Sequence, residues 1–125
     1  MNTPSKTNLS TKSFDSTKTI QTPLWNAYHF FTLYANAGNV VAHEIDVADN
    51  PLDKYILAEL NVLVRVVKNA LDEYKPDVAI KEFVRFLDIL NNWYIRRGRA
   101  RFWDEEQAAF DTLYTVLVKF CRVIA

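Results

Sequence analysis

Asn50-Pro51-Leu52-Asp53-Lys54-Tyr55-Ile56-Leu57-Ala58-Glu59-Leu60-Asn61-Val62-Leu63-Val64-Arg65-Val66-Val67-Lys68-Asn69-Ala70-Leu71-Asp72-Glu73-Tyr74 reads as one amphipathic helix. Leu52, Ile56, Leu60, Leu63, Val67, Leu71 and Tyr74 recur with a period near 3.6, the spacing that puts them on one face. Asn50 is placed to accept a hydrogen bond from a free first-turn amide, and Pro51 suits the first helical position. Asp53 sits at the positive end of the helix dipole. The pattern predicts a helix from Pro51 to about Tyr74.

Reading forward, Lys75-Pro76-Asp77 interrupts the pattern only briefly, with Asp77 available as a cap. So short a connection predicts an antiparallel neighbour. The third helix carries Ile80, Phe83, Leu87, Leu90 and Tyr94 on one stripe, which Phe86 and Trp93 widen. Asp104 and Gln107 resemble a capping box. A fourth helix follows with Phe110, Leu113, Tyr114, Leu117, Phe120 or Cys121, and Ile124 on its stripe.

Reading backward, residues 39–49 form a loop with His43 beside Glu44, Asp46 and Asp49, a spacing that matches no metal-site pattern. Before it, Thr22 and Pro23 read as N-cap and first position of a helix that runs to about Asn36, with Gly38 as a left-handed cap. Leu24, Tyr28, Phe31 and Ala35 form one apolar stripe of this helix, and Ala27, Phe30 and Tyr34 another. A helix apolar on so much of its surface needs neighbours on more than one side. Residues 1–19 are rich in Ser, Thr, Asn and Lys and read as a disordered tail without the apolar core of a secretory signal.

The fold expected is therefore all-α, an up-down antiparallel bundle of about four helices over residues 20–125, preceded by the 1–19 tail. The closing Val123-Ile124-Ala125 is apolar, so the domain is expected to be a fragment truncated at its C-terminus. The lone Cys121 cannot form an internal disulfide, which fits a cytoplasmic location, and it reads as a packed thiol.

Fifteen basic and fifteen acidic residues cancel, unlike a domain that binds nucleic acid with its whole surface. Charge of one sign is concentrated in a single place. Asn91-Asn92-Trp93-Tyr94-Ile95-Arg96-Arg97-Gly98-Arg99-Ala100-Arg101-Phe102-Trp103 holds four arginines in six residues, bracketed by aromatics. The guanidinium fork suits phosphate, and aromatic faces stack on unpaired bases. On a helix Trp93, Arg97, Ala100 and Arg101 share one stripe, and Ile95, Arg99 and Phe102 another. Gly98 disfavours the helix by roughly 1 kcal/mol relative to Ala and marks a place for a bend or an early end. The plainer reading is a solvated helix end, salt-bridged to the following acids, with Arg101 and Glu105 as an i,i+4 pair.

The stretch from Asn92 to Trp103 resembles the motif in the anticodon-binding domain of isoleucyl-tRNA synthetases, in their eukaryote-like branch. Pro23-Leu24-Trp25-Asn26-Ala27-Tyr28-His29-Phe30-Phe31 with Tyr34-Ala35-Asn36 is similar to that domain's first helix, and Asn50 to Leu57 to the start of its second. The resemblance runs from about Lys18 to the C-terminus in the family's order. Gly98 stands where the family usually has serine, Ala100 where a basic residue is common, and the linker after Trp103 is shorter. Neither the HIGH-type nor the KMSKS-type catalytic motif occurs, and residues 1–17 match nothing in the family.

The resemblance implies a tRNA-binding domain that supports ATP-dependent isoleucyl-tRNA formation, its partners being isoleucine tRNA and a separate catalytic domain. Arg96, Arg97, Arg99 and Arg101 would contact phosphate, Trp93 or Trp103 would stack on a base, with Trp93 reading more as a core residue from its place on the widened apolar face, and Asn92, with Asn91, would be the polar candidate for reading bases. No cofactor is expected in this chain; ATP and zinc would belong to a full-length enzyme. The residues themselves offer no Gly-rich phosphate loop, no Cys/His quartet and no nucleophile–base set, so no catalytic residue is assigned. Two other readings remain: a helical protein-interaction or structural module without RNA binding, and a basic amphipathic helix on a membrane. The second is disfavoured because the aromatics and arginines are not segregated. No DNA partner is expected.

Overall fold

A computed structural model describes residues 18–124. The chain runs α1 (Asn2–Ala37), α2 (Pro51–Asp72), α3 (Pro76–Ile89), a π-helical segment (Leu90–Ile95), α4 (Arg96–Trp103) and α5 (Gln107–Ile124). α3, the π segment and α4 follow one another without a break and make one rod. Four rods thus form the expected up-down bundle, and no strand occurs among the described residues. The tail expected over 1–19 lies outside the described residues except for Lys18 and Thr19, which fall within α1.

α2 begins as its sequence dictates. Asn50 holds extended backbone (φ −69°, ψ 133°), and its Oδ1 accepts the Leu52 amide at 2.8 Å. Ile56, Leu60, Leu63, Val67 and Ala70 are buried. The stripe stops there: Leu71 is 54% exposed and Tyr74 92% exposed, against the expectation that both would pack. The helix ends at Asp72, and Tyr74 takes a positive φ of 57° to turn the chain into α3. α3 starts at Pro76 without a side-chain cap, so Asp77 lies in the first turn and acts on the dipole only.

Three helix ends share one solution. The amide five residues on closes each end: Val40 to the Ala35 carbonyl (2.8 Å), Lys75 to Ala70 (2.7 Å) and Glu106 to Arg101 (3.0 Å). The residue before each donor is left-handed, with φ of 53° at Asn39, 57° at Tyr74 and 59° at Glu105. This is the Schellman arrangement, usually served by glycine. The expectation that Gly38 would hold the left-handed position is therefore corrected, because Asn39 holds it. Gly38 serves closeness instead: a Cβ there would lie 2.9 Å from the Glu105 carboxylate.

The first helix does not start at Thr22–Pro23 as expected, since Pro23 lies inside α1. An internal proline disfavours a helix. Ile20, three residues earlier, is buried at 8% exposure, and the Asn91 amide donates to the Pro23 carbonyl at 3.0 Å, so packing and a neighbouring rod hold the helix through it. Aromatic rings then join the rods. Phe102 meets Phe30 (5.1 Å between centroids) and Phe110 (5.2 Å), both edge-on, and Phe120 meets Phe83 at 5.3 Å. Arg85 spans α2 and α3, bonding Glu59 at 2.6 Å and Glu82 at 2.5 Å.

The 39–49 loop is tied down along α5. Asp111 accepts the His43 amide, and Thr115 Oγ1 accepts the Ile45 amide, both at 2.9 Å. Gln107 donates to the Val41 carbonyl at 2.7 Å. That contact replaces the capping box expected with Asp104. Cys121, expected in the core, is exposed; Phe120 takes the buried position on α5.

Candidate nucleic-acid interface

The arginine stretch does not bend at Gly98. α4 runs through it to Trp103, and Gly98 is buried with Phe102 Cε2 3.6 Å from where a Cβ would sit. The change of geometry comes earlier, in the π segment. There each bond reaches one residue further back, which rotates everything after it relative to α3. Leu90, Tyr94, Ile95 and Phe102 are all buried as a result.

The four arginines divide. Arg96, Arg97 and Arg99 are exposed, and none of their side chains makes an ion pair or hydrogen bond to another described residue. Arg97 lies over the Trp93 ring at 5.3 Å, and Trp93 in turn packs on Tyr55 of α2 at 4.4 Å. Arg99 lies over Phe30 of α1 at 5.8 Å. The exposed charge therefore spans the rod from its α2 flank to its α1 flank, each end steadied on an aromatic face.

Arg101 is different, because its guanidinium is engaged within the fold. Its side chain is 14% exposed and grips Asp53 bidentately, Nη1 to Oδ1 at 2.7 Å and Nη2 to Oδ2 at 2.8 Å. Its Nε donates to Glu106, which replaces the expected Glu105 pair. The Tyr94 hydroxyl donates to Asp53 Oδ1 at 2.6 Å, so the buried carboxylate has three donors. Hydrogen bonding to Asp53 holds the Arg101 pKa above its ordinary value. Burial, then the Asp53 bond, push the Tyr94 phenol well above its usual range. This brace joins the first turn of α2 to the last turn of α4 across 48 residues of sequence. Asp53 and Tyr94 were not foreseen in it: each has an ordinary local explanation, and no local pattern pairs them.

The remaining candidates are distributed. Trp103 is 75% exposed at the end of α4. Asn92 is exposed and donates to Asp88 one turn back at 2.6 Å. Asn91 donates to the Pro23 and Leu87 carbonyls and so ties the rod to α1. No three His, Cys, Asp or Glu among the described residues form a metal-binding group, and no described helix is long and apolar enough to cross a membrane.

Residues 53–125, from the braced aspartate onward, match the model of the anticodon-binding domain of tRNA ligases. This chain belongs to that family. The anticodon-binding domain is also similar to isoleucine–tRNA ligases of bacteria. It is 45% identical over 109 residues to that of Rickettsia bellii strain OSU 85-389, covering 83% of this chain and 10% of the relative. With the Bifidobacterium longum ligase it shares 43% identity over 119 residues, 89% of this chain and 11% of the relative. The Rickettsia prowazekii ligase is 43% identical over 109 residues, again 83% and 10%. The chain thus spans about a tenth of the length of the curated relatives it matches. Both the brace and the arginine rod fall inside the family match.

Proposed function

We propose that this domain binds the anticodon arm of isoleucine tRNA, within an isoleucine–tRNA ligase whose catalytic domain supplies the ATP-dependent ligation. One observation carries the reading: Arg96, Arg97 and Arg99 stand exposed, their side chains unpaired among the described residues, on a rod whose far side is locked into the core by Arg101. Rigid presentation lowers the ordering needed at binding. Phosphate contacts orient the arm and carry no sequence information. The catalytic domain is the protein partner in this reading, ATP and zinc belong to the longer enzyme, and the location is the cytoplasm.

The test is a titration with isoleucine tRNA and a non-cognate tRNA at two salt concentrations. Three phosphate contacts correspond to a log–log salt slope of roughly −2 to −3. Combined Arg97→Ala and Arg99→Ala should remove about two-thirds of that slope. No binding at ~100 μM, where non-specific association already registers, would sink the reading for this domain on its own.

A specific feature favours the second reading, a helical protein-interaction module. An open groove of about 980 Å³ lies between α1 and α5, lined by Trp25, Tyr28, Phe31, Tyr114 and Leu117 among others. Association through such an apolar face would respond little to salt.

A further inference from the structure

Phe86, Leu90, Tyr94, Gly98 and Phe102 are all buried and follow one another at steps of four. An unbroken α-helix turns about 100° per residue, so each such step overshoots a full turn by about 40°, and the four steps together by about 160°. That drift would carry the row from the core round to the far side of the rod. The π segment, Leu90–Ile95, lies in the middle of the row. A turn closed by i→i+5 bonds holds one residue more than an α turn, so the segment takes up about 100° of the drift. The remaining ~60° lies within the width of one buried face.

The surplus residue decides what each arginine faces. Without it, every later residue would stand where its successor now stands. Arg97 would enter the buried place of Gly98, Ala100 would replace Arg101 opposite Asp53, and Arg101 would take the core place of Phe102. The present register is held from the side. Asn91, at the start of the segment, donates to the Leu87 carbonyl of its own rod at 3.2 Å and to the Pro23 carbonyl of α1 at 3.0 Å. Asn92 beside it is exposed, and its side chain donates back to Asp88.

We infer that the π segment is the positioning element of the exposed arginines: a one-residue surplus, spare in the packing and pinned to α1 by Asn91, that turns Arg97 out of the core and Arg101 onto Asp53. Asn91 is then a positioning residue, acting on RNA only through Arg96, Arg97 and Arg99. That part rests on the tRNA reading, whereas the register does not.

Deletion tests the register. Removing Asn92 should let the rod close into an unbroken α-helix with both ends in place. The variant should stay folded, with a urea midpoint near that of the unaltered chain. Arg101→Ala should lower the midpoint as much in the deletion variant as in the unaltered chain, because Arg101 still meets Asp53. Two controls shift registers with nothing to absorb the change: removal of Ala58, exposed in the middle of α2, and insertion of one alanine between Asn92 and Trp93. Each turns part of a helix by about 100° and should abolish cooperative unfolding. Deletion of Asn92 that is as damaging as either control, or that folds but no longer responds to Arg101→Ala, overturns the surplus.

Substitution tests the pin. Asn91→Leu removes both donors at similar size. It should weaken tRNA binding about threefold, the ordering cost of one more side chain, and flatten the salt dependence. Asn91→Gln, which keeps the donors, should recover part of the loss. A lowered thermal midpoint with an unchanged salt dependence would make Asn91 structural only and overturn the pin. Absence of tRNA binding by the unaltered chain overturns the pin's bearing on RNA together with the tRNA reading, and the deletion series still decides the register.

Discussion

Arg97 and Arg101 lie one turn apart on the same helix, four residues from each other, yet they do opposite things. Arg97 stands in solvent over Trp93, and Arg101 is sunk against Asp53 and Tyr94. The rod has an exposed face and an anchoring face, both built from the same residue type. A charge run is therefore not one object. What each arginine does depends on what the rest of the fold puts opposite it: a carboxylate on α2 captures Arg101, while no described residue pairs with the side chains of the other three.

The largest effects should come from the anchoring face. Arg101→Ala leaves the Asp53 carboxylate buried without its ion partner, and breaking such a pair destabilises by about 3–5 kcal/mol. Chemical denaturation should show that loss, whereas Arg96→Ala should stay within about 0.5 kcal/mol, as a surface change does. Comparable losses from the two would erase the distinction between the faces. Arg97→Ala with Arg99→Ala should show the converse, unaltered stability and a flattened salt dependence of tRNA binding.

Tyr94→Phe sharpens the contrast through pH. Removing the hydroxyl should cost about 1.5–3 kcal/mol near neutrality, since it donates to a charged acceptor. The folded phenol titrates above its unfolded value of 10.0. Its contribution is complete below that pH and declines as pH rises, because the unfolded chain releases the proton and the folded one keeps it. The slope is about 1.4 kcal/mol per pH unit. The stability gap between the two proteins should therefore narrow above pH 10 in urea titrations; a constant gap would remove the phenol from the brace.

The smallest effect lies at the boundary between the faces. Gly98 has room for a methyl group, with its nearest foreign atom at 3.6 Å. Gly98→Ala should stabilise by about 1 kcal/mol, read as a higher thermal midpoint, and leave RNA binding unchanged. A drop in binding would mean that the presentation of Arg97 and Arg99 depends on helix flexibility at that point.

Much of this was legible residue by residue. The Asn50 cap, the α2 stripe as far as Val67 and the unbroken run of helix into the arginines follow from spacing and capping chemistry, which act over a few residues. The helix ends were harder to read. Gly38 looked like the left-handed residue, but Asn39, Tyr74 and Glu105 hold those positions, because the closing hydrogen bonds impose the turn whatever the side chain. Pro23 looked like a helix start, but burial of Ile20 and the Asn91 contact outweigh a local preference.

The sequence by itself determined the number of rods, most of their buried faces and the place where positive charge gathers, because periodicity and composition are local quantities. Only the tertiary structure decided which arginines are free. Asp53, Tyr94 and Arg101 meet across three elements, and an ion pair is made by proximity in space, which no spacing along the chain records. The cleft lined by Leu33, Tyr34, Phe102 and Trp103 has the same origin, since it lies where the ends of α1 and α4 come together.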